Sequence, residues 1–140
     1  MAAFHAVIDA NVLVAALLTS NNDSATVRVI DAMLRGCIKP LYNDEIIAEY
    51  VEVLGREKFH FTNARRGFFV NTIRQLGEKV DSIHSDEFFP DPKDIVFYEV
   101  ALSKEDAYLV TGNIKHFPRT PIVVTPSEMM EILETELGRR

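Results

Sequence analysis

Three acidic residues stand at positions in the sequence where a carboxylate can do chemistry: Asp9, Glu49 and Asp94. Asp9 follows the short apolar run 4–8, which predicts a buried strand ending at the polar triplet 9–11. Because open α/β sheets bind ligands beyond the carboxyl ends of their strands, Asp9 is a candidate metal ligand or nucleophile. An aspartate there also serves as an ordinary turn or cap residue, and the pattern alone leaves both interpretations open.

Glu49 lies on a predicted helix over residues 45–55. At 100° per residue, it falls at the edge of an apolar arc, from which a carboxylate can reach inward past the helix. The alternative is a solvated residue at the boundary of the buried face. The arc itself consists of Ile46, Ile47, Tyr50, Val51 and Leu54.

Asp94 falls inside the apolar arc of a later predicted helix, which Asp91 caps and Pro92 opens. A carboxylate that faces the core side needs a partner, because an unpaired buried charge is costly. The alternative is an acid of the first turn that complements the helix dipole, which Asp91 already does.

Asn113 completes the candidate set, because it follows a predicted strand over 108–111 and Gly112. It either tolerates a left-handed turn or supplies a neutral oxygen that binds a metal or a metal-bound water. Carboxylate and amide oxygens, with waters kept in place, suit Mg²⁺ or Mn²⁺. The sequence has four histidines without zinc-ligand spacing, one cysteine, no glycine-rich phosphate loop and no Gly-x-Ser-x-Gly nucleophile elbow.

The elements that must position these residues alternate between strand and helix. Apolar runs predict strands at 4–8, 38–42, 79–83, 108–111 and 122–124. Capping signals predict helices from Asp23 or Ser24 to 35, over 45–55 and 62–77, from Asp91 to about 104, and from a capping box at 125–128 to about 138. This alternation predicts an α/β fold with a parallel sheet and helices on both faces.

Length and composition limit the class of protein. A chain of 140 residues with 47% apolar and 26% charged residues predicts a single globular domain over 1–140 and excludes disorder. Its one cysteine excludes an internal disulfide, and we expect a cytoplasmic protein without a membrane span or signal peptide. The net charge of −6 argues against bulk electrostatic binding of nucleic acid, so a phosphate substrate would require another device such as a divalent metal.

Four segments together resemble the PIN domain, the nuclease fold of many VapC-like toxin–antitoxin ribonucleases. They are VIDANVLV at 7–14, IIAEY at 46–50, DPKDIVF at 91–97 and YLVTGNIKHF at 108–117, and VTPSE at 124–128 is similar to the segment before the family's last helix. The Thr-Gly-Asn-x-x-His-Phe motif at 111–117 is typical of one toxin–antitoxin branch. The resemblance implies a three-layer α/β/α sandwich around a parallel sheet of about five strands.

The resemblance also implies a function: Mg²⁺- or Mn²⁺-dependent endonucleolytic cleavage of single-stranded RNA, with Asp9, Glu49 and Asp94 as metal ligands. The family often has an aspartate where Asn113 stands, so this site has one negative charge fewer. The partners it implies are RNA, an antitoxin whose arginine pairs with Asp9 or Asp94, and a second copy of the chain.

Several neighbours of these acids have expected roles in that chemistry. Asn11 and Thr111 are expected to hold the carboxylates in place. Three basic residues in nearby loops, Lys93, Lys115 and Arg119, are expected to bind the flanking phosphates.

Two rival functions remain open from the sequence. A haloacid-dehalogenase-like phosphatase also has an acid after its first strand, but it requires an aspartate two residues later, where this chain has Asn11. A non-catalytic PIN-fold binding module is the other. Extra aromatic residues are predicted to be either core or a dimer interface: Phe59, Phe61, Phe68 and Phe69.

Overall fold

The computed structural model describes residues 3–138 and has an all-parallel five-stranded sheet with helices on both faces, as predicted. The strand order is β3-β2-β1-β4-β5. The strands are β1 (Phe4–Ile8), β2 (Ile38–Tyr42), β3 (Glu78–Lys79), β4 (Tyr108–Val110) and β5 (Val123–Val124). The helices are α1 (Ala10–Leu18), α2 (Ala25–Leu34), α3 (Asp44–Leu54), α4 (Asn63–Leu76), α5 (Ile95–Ala101) and α6 (Pro126–Gly138).

The central strand β1 pairs in parallel with β2 on one side and with β4 on the other. Its last three residues, Ala6 to Ile8, are fully buried, as expected of a strand covered on both faces. The chain passes from β1 outward to β2 and β3, then returns to the other side of β1 for β4 and β5. The carboxyl end of β1 is therefore a topological switch point, the place where open α/β sheets form a binding crevice.

Side-chain caps begin the helices near the predicted positions. Ser24, Asn43 and Thr62 accept hydrogen bonds from the first-turn amides of α2, α3 and α4. Thr125 and Glu128 form the predicted capping box of α6, because each side chain accepts from the other residue's backbone N–H at 3.1 and 2.9 Å. Polar residues of the sequence thus determine where four of the helices begin.

Three elements differ from the predicted ones. Residues 10–18 form helix α1, for which the sequence gives no prediction. The reason is that a continuous apolar run, such as 12–18, hides helical periodicity. Strand β3 is Glu78–Lys79 instead of 79–83, because the chain leaves the sheet once the Val80 N–H has bonded to the Tyr42 carbonyl. The helix predicted from Asp91 to 104 is a 3₁₀ turn at Pro92–Asp94 followed by α5, which ends where the Ser103 hydroxyl binds the Val100 carbonyl.

Not all the apolar residues of α4, which include Phe68, Phe69, Ile73 and Leu76, are buried. Phe68 is 57% exposed and Leu76 is 39% exposed. Because α4 packs against α3 and β2, its buried residues are Val70 and Ile73. Within residues 3–138, no helix combines the length and the apolar character that a membrane crossing requires.

Candidate active site

Asp9 is held at the switch point by bonds to the neighbouring strand. Its backbone N–H donates to the Val110 carbonyl at 3.0 Å, and its Oδ2 accepts from the Thr111 hydroxyl at 2.7 Å. Asp9 is only 6% exposed and Thr111 is fully buried. Burial raises the pKa of Asp9, while the Thr111 hydroxyl and the nearby amides of Asn11 and Ala10 oppose that shift. The site therefore holds a carboxylate in a position where ionisation is disfavoured.

Asp94 is the second carboxylate of the site and ends the 3₁₀ turn before α5. Its side chain is 16% exposed, and its Oδ2 lies 3.4 Å from Nδ1 of His116, which is long for a hydrogen bond. Burial, followed by the negative charges of Asp9 and Asp91, raises the pKa of Asp94 to about 6. The two aspartates thus repel each other across a shared space.

That space is a cavity of about 350 Å³ whose wall contains all four predicted residues: Asp9, Glu49, Asp94 and Asn113. They come from four separate segments, so the fold brings together what the sequence keeps apart. The remaining lining residues are Ala10, Asn11, Val14, Val53, Arg56, Phe59, Asp91, Lys93, Phe97 and His116.

Glu49 and Asn113, the other two predicted residues in this wall, differ in how exposed they are to solvent. Glu49 is half-buried on α3, and its carboxylate makes no hydrogen bond or ion pair with any other residue in the range 3–138. Asn113 is exposed, and its backbone N–H donates to the Thr111 hydroxyl oxygen at 3.0 Å. Thr111 therefore joins Asp9 to the turn that contains Asn113.

A tyrosine fixes the strand end from the other side. The buried Tyr50 hydroxyl donates to the carbonyl of Ile8, the residue that precedes Asp9. Burial and the nearby charge of Asp9 raise the pKa of Tyr50, so this hydroxyl stays protonated and remains a donor. The tyrosine was predicted only as part of an apolar arc, and no sequence signal distinguished its hydroxyl.

The donor set fits a hard divalent cation that keeps much of its water. Two oxygens at the site are buried without a hydrogen-bond partner in the part of the chain that the structure describes: Asn11 Oδ1 and Asp94 Oδ2. No three carboxylate, imidazole or thiolate side chains among residues 3–138 are grouped closely enough to hold a metal by themselves. Mg²⁺ commonly takes one or two protein carboxylates together with waters and substrate phosphates, and a cavity lined by Asp9 and Asp94 is compatible with that pattern.

Of the three predicted phosphate-binding residues, one lines the cavity of the candidate active site and two lie outside it. Lys93 lines the cavity beside Asp94. Lys115 is exposed on the 3₁₀ turn Ile114–His116 and is not part of the lining. Arg119 lines a different cavity, together with Thr120 and Pro121.

Three lining residues that could contact a substrate, His116, Arg56 and Phe59, had no predicted role at this site. The sequence shows His116 without zinc-ligand spacing and as the histidine of the motif at 111–117, and its position close after Asn113 was a usable signal for the site. Arg56 and Phe59 come from the irregular segment after α3, including the 3₁₀ turn Glu57–Phe59, where periodicity carries no information.

A family model described as the PIN domain matches residues 5–115 of this chain. The matched range includes every candidate carboxylate and the whole Asp9–Thr111–Asn113 connection. The curated proteins searched include no match to the chain.

Proposed function

Since the chain belongs to the PIN domain family, whose members are usually nucleases, we propose that it is a metal-dependent endoribonuclease that cleaves single-stranded RNA. The observation that supports this most directly is the pair Asp9 and Asp94. Both line one cavity at the carboxyl end of the central parallel strand, and the charge of Asp9 contributes to the raised pKa of Asp94. Two mutually repelling acids are stable as a pair when a cation is placed between them.

The proposed metal is Mg²⁺ or Mn²⁺, held by Asp9 and Asp94, with Glu49 as a third ligand through water. When bound, such an ion lowers the pKa of a coordinated water and neutralises charge on the phosphoryl oxygens. PIN domain nucleases generally use divalent metals. The bond from the Thr111 hydroxyl keeps the Asp9 carboxylate oriented, and the Tyr50 hydroxyl fixes the backbone before it.

The remaining side chains have proposed roles that follow from where they lie. Glu49, free of ion pairs within residues 3–138, orients the water that attacks phosphorus. Lys93 reaches the same cavity and neutralises a phosphate oxygen of the substrate. His116 Nδ1 lies 3.4 Å from Asp94 Oδ2, where a protonated imidazole would attract that carboxylate.

We further propose that the nuclease is the toxin of a toxin–antitoxin pair and forms a homodimer. The acidic wall of the cavity suits an arginine side chain of an antitoxin, because a guanidinium pairs with a carboxylate in a two-bond fork. An inhibitor bound in this way would occupy the space that a metal and a phosphate need.

The test is cleavage of a labelled single-stranded RNA with Mg²⁺, with Mn²⁺ and with EDTA. We expect cleavage only with metal. We expect the cleavage rate of Asp9→Asn to be lower by at least about a hundredfold, because one of the two carboxylates proposed to hold the metal is removed. Asp81→Asn is the matched control, since Asp81 is exposed and is not part of this cavity's lining.

The rival functions give different results in the same experiment. A wild-type chain that binds RNA but never cleaves it is a binding module, a possibility supported by Asn113 where the family often has an acid. A phosphoenzyme trapped on Asp9 would indicate the phosphatase.

A further inference from the structure

The segment 56–66 differs in charge from the rest of the molecule. It contains Arg56, Lys58, Arg65 and Arg66 but only one acid, Glu57, whereas the whole chain has 21 acidic and 15 basic residues. An acidic protein thus has a local basic surface, between α3 and the first turn of α4. Local positive charge of this kind is typical of a nucleic-acid contact in a protein without overall basic character.

Two aromatic rings stack between the cations of this segment. The rings of Phe59 and Phe61 have centroids 5.7 Å apart and planes inclined by 21°. Lys58 Nζ lies 5.2 Å from the centroid of Phe59, and the Arg65 guanidinium lies 5.5 Å from that of Phe61. The four residues form a cation–ring–ring–cation ladder, and both rings are half-buried.

The ladder begins at the wall of the candidate active site. Phe59 and Arg56 line the same cavity as Asp9 and Asp94. Arg56 is paired with Glu52 through an exposed ion pair at 3.0 Å, whereas Lys58 forms no ion pair with any residue between 3 and 138. Lys58 is therefore available to a ligand at little cost, because only a cation–π contact of modest strength holds it.

We propose that the Lys58–Phe59–Phe61–Arg65 ladder binds unpaired bases of the RNA strand whose phosphate lies at Asp9 and Asp94. A base stacks on the Phe59 ring in place of the Lys58 ammonium, which then moves to the neighbouring phosphate. Only single strands offer a free base face, so the ladder selects unpaired RNA over duplex. The placement of the RNA strand at Asp9 and Asp94 rests on the proposed function, whereas the stacking of a base on Phe59 does not.

The experiment is fluorescence anisotropy of a labelled single-stranded RNA of mixed sequence, in EDTA and at several salt concentrations, with the full chain. We expect Phe59→Leu to weaken binding about tenfold, because the variant removes the aromatic ring on which the base stacks. Phe59→Tyr is expected to bind like the wild type. Lys58→Gln, an exposed change that leaves the core intact, is expected to reduce the salt slope by about 0.7.

Two control variants remove an aromatic ring or a cation that lies outside the ladder. Phe88→Leu removes an 82% exposed aromatic ring next to Glu87, and Lys39→Gln removes an exposed cation of β2. Neither is expected to change the affinity by more than about twofold. Circular dichroism of each variant establishes that it has folded, and if Phe59→Leu unfolds, the salt slope of Lys58→Gln decides the proposal.

Three results would overturn the ladder: no RNA binding by the wild type, equal affinity for duplex and single strand, or unchanged affinity and salt slope in Phe59→Leu and Lys58→Gln. A second assay with Mn²⁺ separates this proposal from the nuclease. If the wild type binds RNA, Phe59→Leu binds it more weakly and neither cleaves it, the ladder is supported and the nuclease proposal is refuted. Cleavage with an unchanged KM in Phe59→Leu supports the nuclease and refutes the ladder.

Discussion

The fold opposes the ionisation of Asp94. Its pKa is raised to about 6 by burial and by the charges of Asp9 and Asp91, so the folded chain holds this proton more tightly than the unfolded chain does. In the metal-free protein, the free energy of unfolding therefore decreases as pH rises from 3.8 to about 6, and this contribution is constant above that range.

We expect Asp94→Asn to stabilise the metal-free protein at pH 7 and to remove this part of the pH dependence. The gain is on the order of 1 kcal/mol, less than the full linkage value because part of the side chain contacts water and is screened. Urea denaturation at pH 4 and pH 7 measures it. An Asp94→Asn variant that loses stability at pH 7 would contradict the repulsion between Asp94 and Asp9.

Thr111 is a buried hydroxyl with two bonds, one to Asp9 Oδ2 and one from the Asn113 N–H. We expect Thr111→Val to reduce the free energy of unfolding by about 1–3 kcal/mol, because two polar groups lose their partner. Thr111→Ser keeps the hydroxyl and is the control, expected to lose much less. Thermal melting of the three proteins in EDTA checks this, and a Thr111→Val variant as stable as the wild type would show that the two hydrogen bonds do not stabilise the fold.

The sequence predicted the position of the acids better than their surroundings. Asp9, Glu49 and Asp94 were recognisable because an acid after an apolar run, or at the edge of an apolar arc, conflicts with burial. His116 was not recognisable in this way, because its contact with Asp94 depends on how a 3₁₀ turn places its ring. Its role, like those of the acids, stays a prediction until activity is measured.

At the scale of elements, the contact between α3 and β1 is the one that most directly supports the site. The Tyr50 hydroxyl on α3 bonds to the Ile8 carbonyl at the end of β1, and its ring lies 6.1 Å from that of Phe97 on α5. Tyr50 thus connects α3, β1 and α5 at the residue that precedes Asp9.

We expect Tyr50→Phe to fold with a free energy of unfolding lower by about 1 kcal/mol, because one buried hydrogen bond is removed while the ring remains. RNA cleavage is expected to decrease through kcat with KM unchanged, since the end of β1 is held less firmly. Tyr42→Phe is the control, because its hydroxyl bonds at the surface to the Arg74 carbonyl. A Tyr50→Phe variant with wild-type stability and kcat would show that the bond does not position the site.

Element boundaries were predictable wherever a polar side chain marks them. The caps at Ser24, Asn43, Thr62 and Thr125 begin helices at or within one residue of the predicted starts. The sequence failed at α1, whose apolar residues have no polar face, and at β3, whose two residues are held in place only by the end of β2. These elements depend on tertiary packing, which a local pattern does not contain.

At the scale of the whole molecule, a cation bound between Asp9 and Asp94 would favour the folded state. We expect Mn²⁺ to raise the melting temperature of the wild type, since a ligand at a hundred times its Kd contributes about 2.7 kcal/mol. Asp94→Asn is expected to lose that response. A full Mn²⁺ shift in Asp94→Asn would place the metal elsewhere.

The proposed homodimer has exposed apolar side chains available to it, among them Phe68, which is 57% exposed, and Val51, which is 53% exposed. We expect light scattering to give twice the chain mass at micromolar concentration, and Phe68→Lys to shift the equilibrium toward the monomer. A mass of 15.8 kDa that persists at high micromolar concentration would refute the dimer and leave the nuclease proposal intact.

The two outermost strands, β3 and β5, are only two residues long, and β3 consists of Glu78 and Lys79. An edge so short and charged offers almost no template on which a strand of another molecule can add. The sheet is therefore protected against the edge-to-edge growth that leads to amyloid-like aggregates. A complex of this protein with another chain would consequently assemble through helices and loops, and the sheet would remain a rigid support for the acids.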